Sequence, residues 1–482
     1  MNYFSSPPRL SVRHGGVVST LALLALLALS GCASLSDDGG LAAVADMTQQ
    51  RTGYTVASWR TSAQQSEART TQVAQLLAQA LSADSAVQLA LLQNRGLQAQ
   101  LAQLGIAEAD WVRAARLPNP SFSFARMSGP DGVEIERGVS FNLLGLLTWP
   151  LQQRLESERL AQTQLHAAAE AVALAAEVRR SYFEAVAAEQ LLRGQAQLQE
   201  AADIAGELAQ RMVAAGHFSP LEQMRVQAEQ AEAKAQWQRA QHQALASREK
   251  LSRLLGLSAA QRDFRLPEQL PALPAEPMAA QALEQTALRQ RLDVQIAQQN
   301  ASATARSLGL SQATRFINVL HLGHKNQSAS GEPRHNGYEV ELELPLFDFG
   351  QARLARAEAV YMQALHQAAQ VAIQAQSEVR EAYSGYHTAY RLAQHYRDHA
   401  LPLRQRMAEQ ALLRYNGMLA SVFELLADAR SQIQTANAAI EAQRDYWVAE
   451  TQLQASLSGR SPGAIALPVS GVSSNNNRPA AH

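Results

Sequence analysis

The sequence predicts a mainly α-helical chain with a small four-stranded β part, built as two repeats of about 200 residues each. Three observations carry that expectation. Ala, Gln, Glu, Arg and Leu dominate 150–260 and 350–460, the composition of long helices and coiled coils. Short stretches ahead of each long helical tract alternate apolar and polar residues with a period of two, as strands do. Corresponding landmarks in the two halves stand about 197–202 residues apart.

Taken in order, the chain opens with Arg9 and Arg13 ahead of "GVVSTLALLALLALSGC", a charged start and an apolar run too short to span a bilayer comfortably. The run ends at Leu29-Ser30-Gly31-Cys32, and Cys32 is the only cysteine in the chain, so no intrachain disulfide forms. This junction resembles a bacterial lipobox. The resemblance implies a signal peptide over 1–31, acylation of Cys32, and, with Ala33 following, sorting to the outer membrane. Residues 32–80 read as a lipid-anchored tail with little fixed structure.

The first repeat spans 81–265. It has a helical lead-in at about 84–116 interrupted near Gly96, and strands near 119–127 and 136–144. A long helix covers about 151–215, "GHFSP" breaks it at 216–220, and a returning helix runs to about 256. Pro267, Pro271, Pro274 and Pro277 mark a linker at 266–278 that crosses in extended form. The second repeat, 279–460, has a lead-in at about 279–311 and strands near 315–323 and 337–344. A helix follows at about 349–415, then a break at "NGMLAS" (416–421) and a return to about 459. Residues 461–482 read as a tail.

A helix of about 65 residues is nearly 100 Å long at 1.5 Å per residue, and it is stable only when packed along its length. The alanine content suits close packing of such helices. In "GYEVELELPL" (337–346), Tyr338, Val340, Leu342 and Leu344 alternate with Glu339, Glu341 and Glu343, giving one apolar and one acidic face. "GVSFNLL" (138–144) and "SFSFA" (121–125) alternate similarly, and the links at 128–132 and 325–336 are polar. An apolar outer and polar inner face is the pattern of transmembrane strands. Four strands cannot close a barrel, and an open edge in lipid leaves backbone groups unsatisfied. Several chains must therefore pool their strands, and three would supply about twelve.

The segments "LPLFDFGQARLARAEA" (344–359), "LSRLLGL" (251–257) and the two helix breaks resemble the TolC/OprM outer membrane factor family, in order, spacing and duplication, over about 80–460. The resemblance implies a homotrimer, with a 12-stranded β-barrel in the outer membrane continued by a 12-helix α-barrel. It implies a passive exit duct that docks on a periplasmic adaptor and an inner-membrane pump, exporting small molecules or metal ions, without catalysis or cofactor. It also implies docking tips at Gly216, Phe218 and Ser219 and at Gly417, Met418, Leu419 and Ser421. Gly216 and Gly417 would reverse the backbone, and Ser219 and Ser421 would cap the returning helices. Lining up "SVFELLADA" (421–429) places Glu424 at a periplasmic acidic gate. Ala427 falls where a second acid often stands, with Asp428 one step on, which departs from a two-ring gate. Glu339, Glu341 and Glu343 would line the pore.

Other classes fit less well. A type I protein-secretion duct shares the same architecture. A periplasmic scaffold lipoprotein has no use for the strand alternation. Net charge is −1, so no global field points to nucleic acid. There is no phosphate-binding loop, dinucleotide fingerprint or nucleophile elbow. His395 and His399, spaced i, i+4 around Asp398, read as a solvated helix surface, and His321, His324 and His335 as strand or loop polarity.

Overall fold

The computed structural model describes residues 34–60, 62–130, 132–279, 281–313, 319–342 and 349–459; Cys32, the segment before it, Glu343 and the 461–482 tail lie outside them. Helices α1 (Ala42–Thr52) and α2 (Ala63–Leu77) stand ahead of the first repeat, in which α3 (Ala83–Gln93) and α4 (Arg95–Ala115) precede strands β1 (Ser121–Gly129) and β2 (Gly132–Asn142). Helices α5 (Leu143–Ala214) and α6 (Pro220–Leu255) follow. The second repeat has α7 (Leu283–Gln290), α8 (Leu292–Ala313), β3 (Leu320–Ala329), β4 (His335–Leu342), α9 (Gln351–His395), α10 (Leu401–Asn416) and α11 (Val422–Ser458).

Helix α5 has 72 residues, about 108 Å at the usual rise. It starts directly after β2, eight residues before the position the sequence suggested. Asn142 accepts the Gly145 N–H at 2.8 Å, and Trp149 Nε1 donates to the Ala114 carbonyl at the end of α4 at 3.0 Å. This local capping starts the helix ahead of Pro150, which lies past the first turn and leaves the Leu146 carbonyl without its usual intrahelical donor. The long helix of the second repeat is instead divided by one π turn at Tyr396–Ala400. Pro402, just beyond it, has no N–H to return to the preceding turn.

Alanines and leucines make the main core. Ala168, Ala171, Val178, Ala185 and Val186 of α5 are buried against Leu89 and Leu91 of α3, Leu101 and Leu104 of α4, and Leu251 and Leu255 of α6. Tyr386, Tyr390, Tyr446 and Leu453 form a second cluster between α9 and α11. The Pro-rich linker is pinned across it rather than crossing freely. Trp447 Nε1 donates to the Pro271 carbonyl at 3.0 Å, Tyr390 Oη to the Ala275 carbonyl at 2.8 Å, and Met278 N to Tyr386 Oη at 2.9 Å.

The 32–80 segment departs from its expected looseness. Helices α1 and α2 are ordered within it, and Leu41, Val44, Val56 and Val73 are buried. The Ser36 N–H donates to Glu108 Oε1 of α4 at 2.8 Å, and Gln164 of α5 donates to the Gly40 carbonyl at 3.1 Å. Trp59 lies so close to α4 at Gly105 that a Cβ there would stand 2.4 Å from its ring. A few large anchors do what a polar average composition hides.

Each lead-in breaks at one residue in an extended conformation, Asn94, two residues before Gly96, in the first repeat and Arg291 in the second. Both residues tie the break to the end of the returning helix. Asn94 Nδ2 donates to the Leu254 carbonyl at 2.9 Å, and Arg291 donates to the Ser456 carbonyl at 3.3 Å. Ser456 is to Leu254 as Ser421 is to Ser219, so two different side chains serve one repeated position. The Arg291 side chain is fully buried and also binds Asp293 at 2.7 Å and Glu378 at 2.9 Å. Burial alone would lower its pKa; the two carboxylates overcome that and hold it above the ordinary value. Removing one partner of a buried ion network costs about 3–5 kcal/mol, whereas a neutral hydrogen bond is worth about 1 kcal/mol. Arg291→Ala should therefore lower the denaturant midpoint far more than Asn94→Ala. Equal losses would show that the tie, not the charge, matters at Arg291.

Candidate functional site

Two regions carry the functional signals: the sheet at one end of the helices and the hairpin tips at the other. The sheet has the order β1-β2-β3-β4, all antiparallel, and the β2–β3 pairing joins the two repeats. The outer edges of β1 and β4 have no strand partner among the described residues. Strand β3 runs through Lys325–Ala329, which the sequence suggested as loop; these residues pair with Glu134–Gly138 of β2. Lys325 and Gln327 fall on one face of the sheet and Asn326 and Ser328 on the other, so their polarity does not mark a turn. Residues 315–318, expected as the start of this strand, lie outside the described residues.

The register sorts the side chains into two faces. Phe122, Phe124, Val139, Phe141, Leu322, Tyr338, Val340 and Leu342 share one face. They are exposed, Tyr338 to 86%, Phe122 to 69% and Val340 to 66%. So large an apolar surface left open on an ordered sheet needs a cover. The opposite face is polar and holds Glu134, Glu136, Lys325, Glu339 and Glu341. Lys325 Nζ lies 3.1 Å from Glu339 and 4.0 Å from Glu136, and His321 Nδ1 lies 3.8 Å from Glu341. Sequence reading singled out the glutamates of β4 but missed Lys325 and Glu136. The pairing register that brings them together cannot be read from one strand. The strands have 9, 11, 10 and 8 described residues, close to the length of a tilted membrane strand. Among the described residues no helix is long and apolar enough to cross a membrane.

At the far end, the two hairpins turn in the same way. His217 N bonds to the Met212 carbonyl and Gly216 N to the Val213 carbonyl, each at 2.9 Å; Leu419 N bonds to Arg414 at 2.8 Å and Met418 N to Tyr415 at 2.9 Å. This paired pattern requires a left-handed residue just past the helix. In the first hairpin it is Gly216, with φ of 75°. In the second it is Met418, with φ of 57°, while Gly417 sits at φ −80°. The expected role of Gly417 in reversing the chain is thus taken by its neighbour, because the turn is phased one residue later than the glycine suggests.

Ser219 and Ser421 each head a capping box. The Glu222 N–H donates to Ser219 Oγ at 3.3 Å, and Glu222 Oε2 accepts the Ser219 N–H at 2.7 Å. The Glu424 N–H donates to Ser421 Oγ at 3.2 Å, and Glu424 Oε2 accepts the Ser421 N–H at 3.0 Å. Glu424, the expected gate acid, is exposed and caps its own helix, with Asp428 half-buried one turn on. Phe218 does not project from the tip. It stacks on Phe423 of the second hairpin at 4.9 Å between centroids and 15° between planes. Arg430 binds Glu229 at 2.9 Å beside them. Behind this pair lies a cavity of about 360 Å³ lined by Ala201, Ala205, Val226 and Leu426. Met418 and Leu419 are what the tip offers to solvent, exposed to 94% and 72%.

This architecture has close counterparts. A membrane protein from Pseudomonas aeruginosa superposes with a TM-score of 0.66 at 22% identity, over 80% of this chain and 93% of that one. The CmeC outer membrane channel of Campylobacter jejuni gives 0.65 at 17% identity, over 80% and 87%. The outer membrane protein VceC of Vibrio cholerae gives 0.64 at 16% identity, over 81% and 97%. No protein-family model matches the chain, and no curated protein matches it in sequence. The fold is that of bacterial outer membrane channels.

The tips generate two expectations. A left-handed non-glycine residue costs about 1–2 kcal/mol, so Met418→Gly should slow amide exchange across 413–421, and Gly216→Met should speed it across 211–219. The bond from the Ser219 backbone holds the Glu222 carboxyl below its ordinary 4.5. A depressed carboxylate contributes fully above that value, and its contribution is lost as pH falls through the folded pKa. Exchange at Ser219, corrected for the intrinsic rate, should accelerate as pH falls below 4.5 and through the depressed folded pKa, and Glu222→Gln should abolish that step.

Proposed function

We propose that this chain is the outer membrane exit duct of a tripartite efflux system. Three copies close their sheets into one barrel and their helices into a tunnel across the periplasm. The observation that carries this reading is the sheet, with an exposed apolar face, a charged opposite face and two free edges, set on helices about 100 Å long. In lipid the apolar face is satisfied, and each β4 edge can pair only with a β1 edge of another copy. The polar face then surrounds water, and Glu339, Glu341 and Glu343 line it.

The duct is passive. Its water-filled bore does no chemistry, and cargo, small molecules or metal ions, is chosen upstream by an inner-membrane pump. The hairpin tips dock on a periplasmic adaptor through Met418 and Leu419, with Gly216, Ser219, Gly417 and Ser421 shaping the turns. Phe218 acts indirectly, by holding the hairpins together through Phe423. Glu424, with Asp428 behind it, rings the periplasmic entrance, where three like charges near one axis attract cations. Cys32 carries the lipid that anchors the N-terminus.

Purified full-length protein should form cross-linkable trimers and discrete conducting pores in planar bilayers. Val340→Arg puts a charge on the lipid face, at about 2–4 kcal/mol per chain near the midplane. It should remove the trimer from the outer membrane fraction, whereas Glu341→Gln on the opposite face should not. Monomers that stay dispersed without detergent would overturn the reading.

A further inference from the structure

We propose that Lys325 sets the ion selectivity of the pore, as a built-in cation seated between two carboxylates of the lumen wall. The proposal rests on the pore reading above and concerns the same polar face. Among the described residues that face carries four carboxylates, Glu134, Glu136, Glu339 and Glu341, and one lysine. The lysine has a slot made for it. Its partner on β2 is Gly138 and its partner on β4 is Gly337, so neither neighbouring strand sets a side chain beside it. The stem lies over the first of these glycines, with Cγ 3.8 Å from where a Cβ at Gly138 would stand. The ammonium therefore stays on the wall and reaches the diagonal carboxylates on both sides, at 3.1 Å to Glu339 and 4.0 Å to Glu136.

The consequence is electrostatic. Two carboxylates and one ammonium leave this part of the wall with one net negative charge per chain. Without the ammonium that charge doubles, and threefold repetition around a narrow low-dielectric wall concentrates the change in one ring. The pore should prefer cations, and Lys325 should limit that preference. The ring also bears a tethered cation where a mobile one would otherwise collect.

The test is the zero-current potential across a planar bilayer holding the full-length protein in a potassium chloride gradient. Lys325→Gln should raise the cation-to-anion permeability ratio by roughly twofold or more. Glu339→Gln, which frees the lysine from its nearer partner, should lower it. Single-channel events in each variant verify that it has folded and closed. Conducting pores with one and the same reversal potential in all three proteins would overturn the proposal and leave the pore reading intact. So would a shift toward anions in Lys325→Gln. Absence of channels from the wild-type protein would remove the pore reading itself, and this inference with it.

Discussion

The unpaired backbone at the two edges of the sheet is the constraint on which everything else depends. In water an edge strand is a liability; in hydrocarbon each open N–H or C=O costs several kcal/mol. Among the described residues nothing pairs with either edge, since β1 and β4 end the meander. The β2–β3 pairing places those edges on different repeats, so among copies that share one orientation an antiparallel closure joins the second repeat of one copy to the first repeat of the next. Such head-to-tail contact makes rings rather than two-fold dimers. The duplication of the sequence and the proposed symmetry of the assembly are thus two results of one requirement.

The helices inherit their length from that arrangement and their stability from small side chains. Buried alanines along α5 let α3, α4, α6 and α11 approach it closely, so dispersion contacts replace a thick core. Broken lead-in helices extend the packing of the returning helices toward the sheet. Beside each break the last carbonyls of the returning helix lack an intrahelical donor, and Asn94 and Arg291 supply one from the side. That a neutral amide does this in one repeat and a buried guanidinium in the other shows how far the halves have diverged while keeping one geometry. The linker belongs to the same logic: prolines donate no backbone hydrogen bonds, but their carbonyls accept them, and Tyr390 at Pro274 and Trp447 at Pro271 use that to fasten it down.

Much of this was legible in the sequence, because the signals were periodic. The alternation of Tyr338, Val340 and Leu342 with Glu339 and Glu341 is visible in the string, and so are the serines that cap the tips and the offset between repeats. What escaped was whatever depends on a partner distant in sequence. Lys325 looks like a loop residue until its register against Gly138 is known. Phe218 looks like a docking residue until Phe423 is brought against it. Gly417 attracted the left-handed role because glycine tolerates it, yet the hydrogen-bond phase of the helix end put Met418 there. The N-terminal segment read as loose because its anchors are few. Trp59 matters because Gly105 of α4 leaves room for its ring, which composition cannot reveal.

That N-terminal segment also fixes a leash. Ser36 is held on Glu108, seven residues before α4 ends, or about 10 Å along the helix axis. The end it approaches is the one that leads within a few residues into β1. From Ser36 back to Cys32 the backbone can extend by no more than about 14 Å. If Cys32 carries the proposed acyl group, that group would be confined to the neighbourhood of the bilayer proposed to receive the strands and could not reach a second membrane beyond the helices.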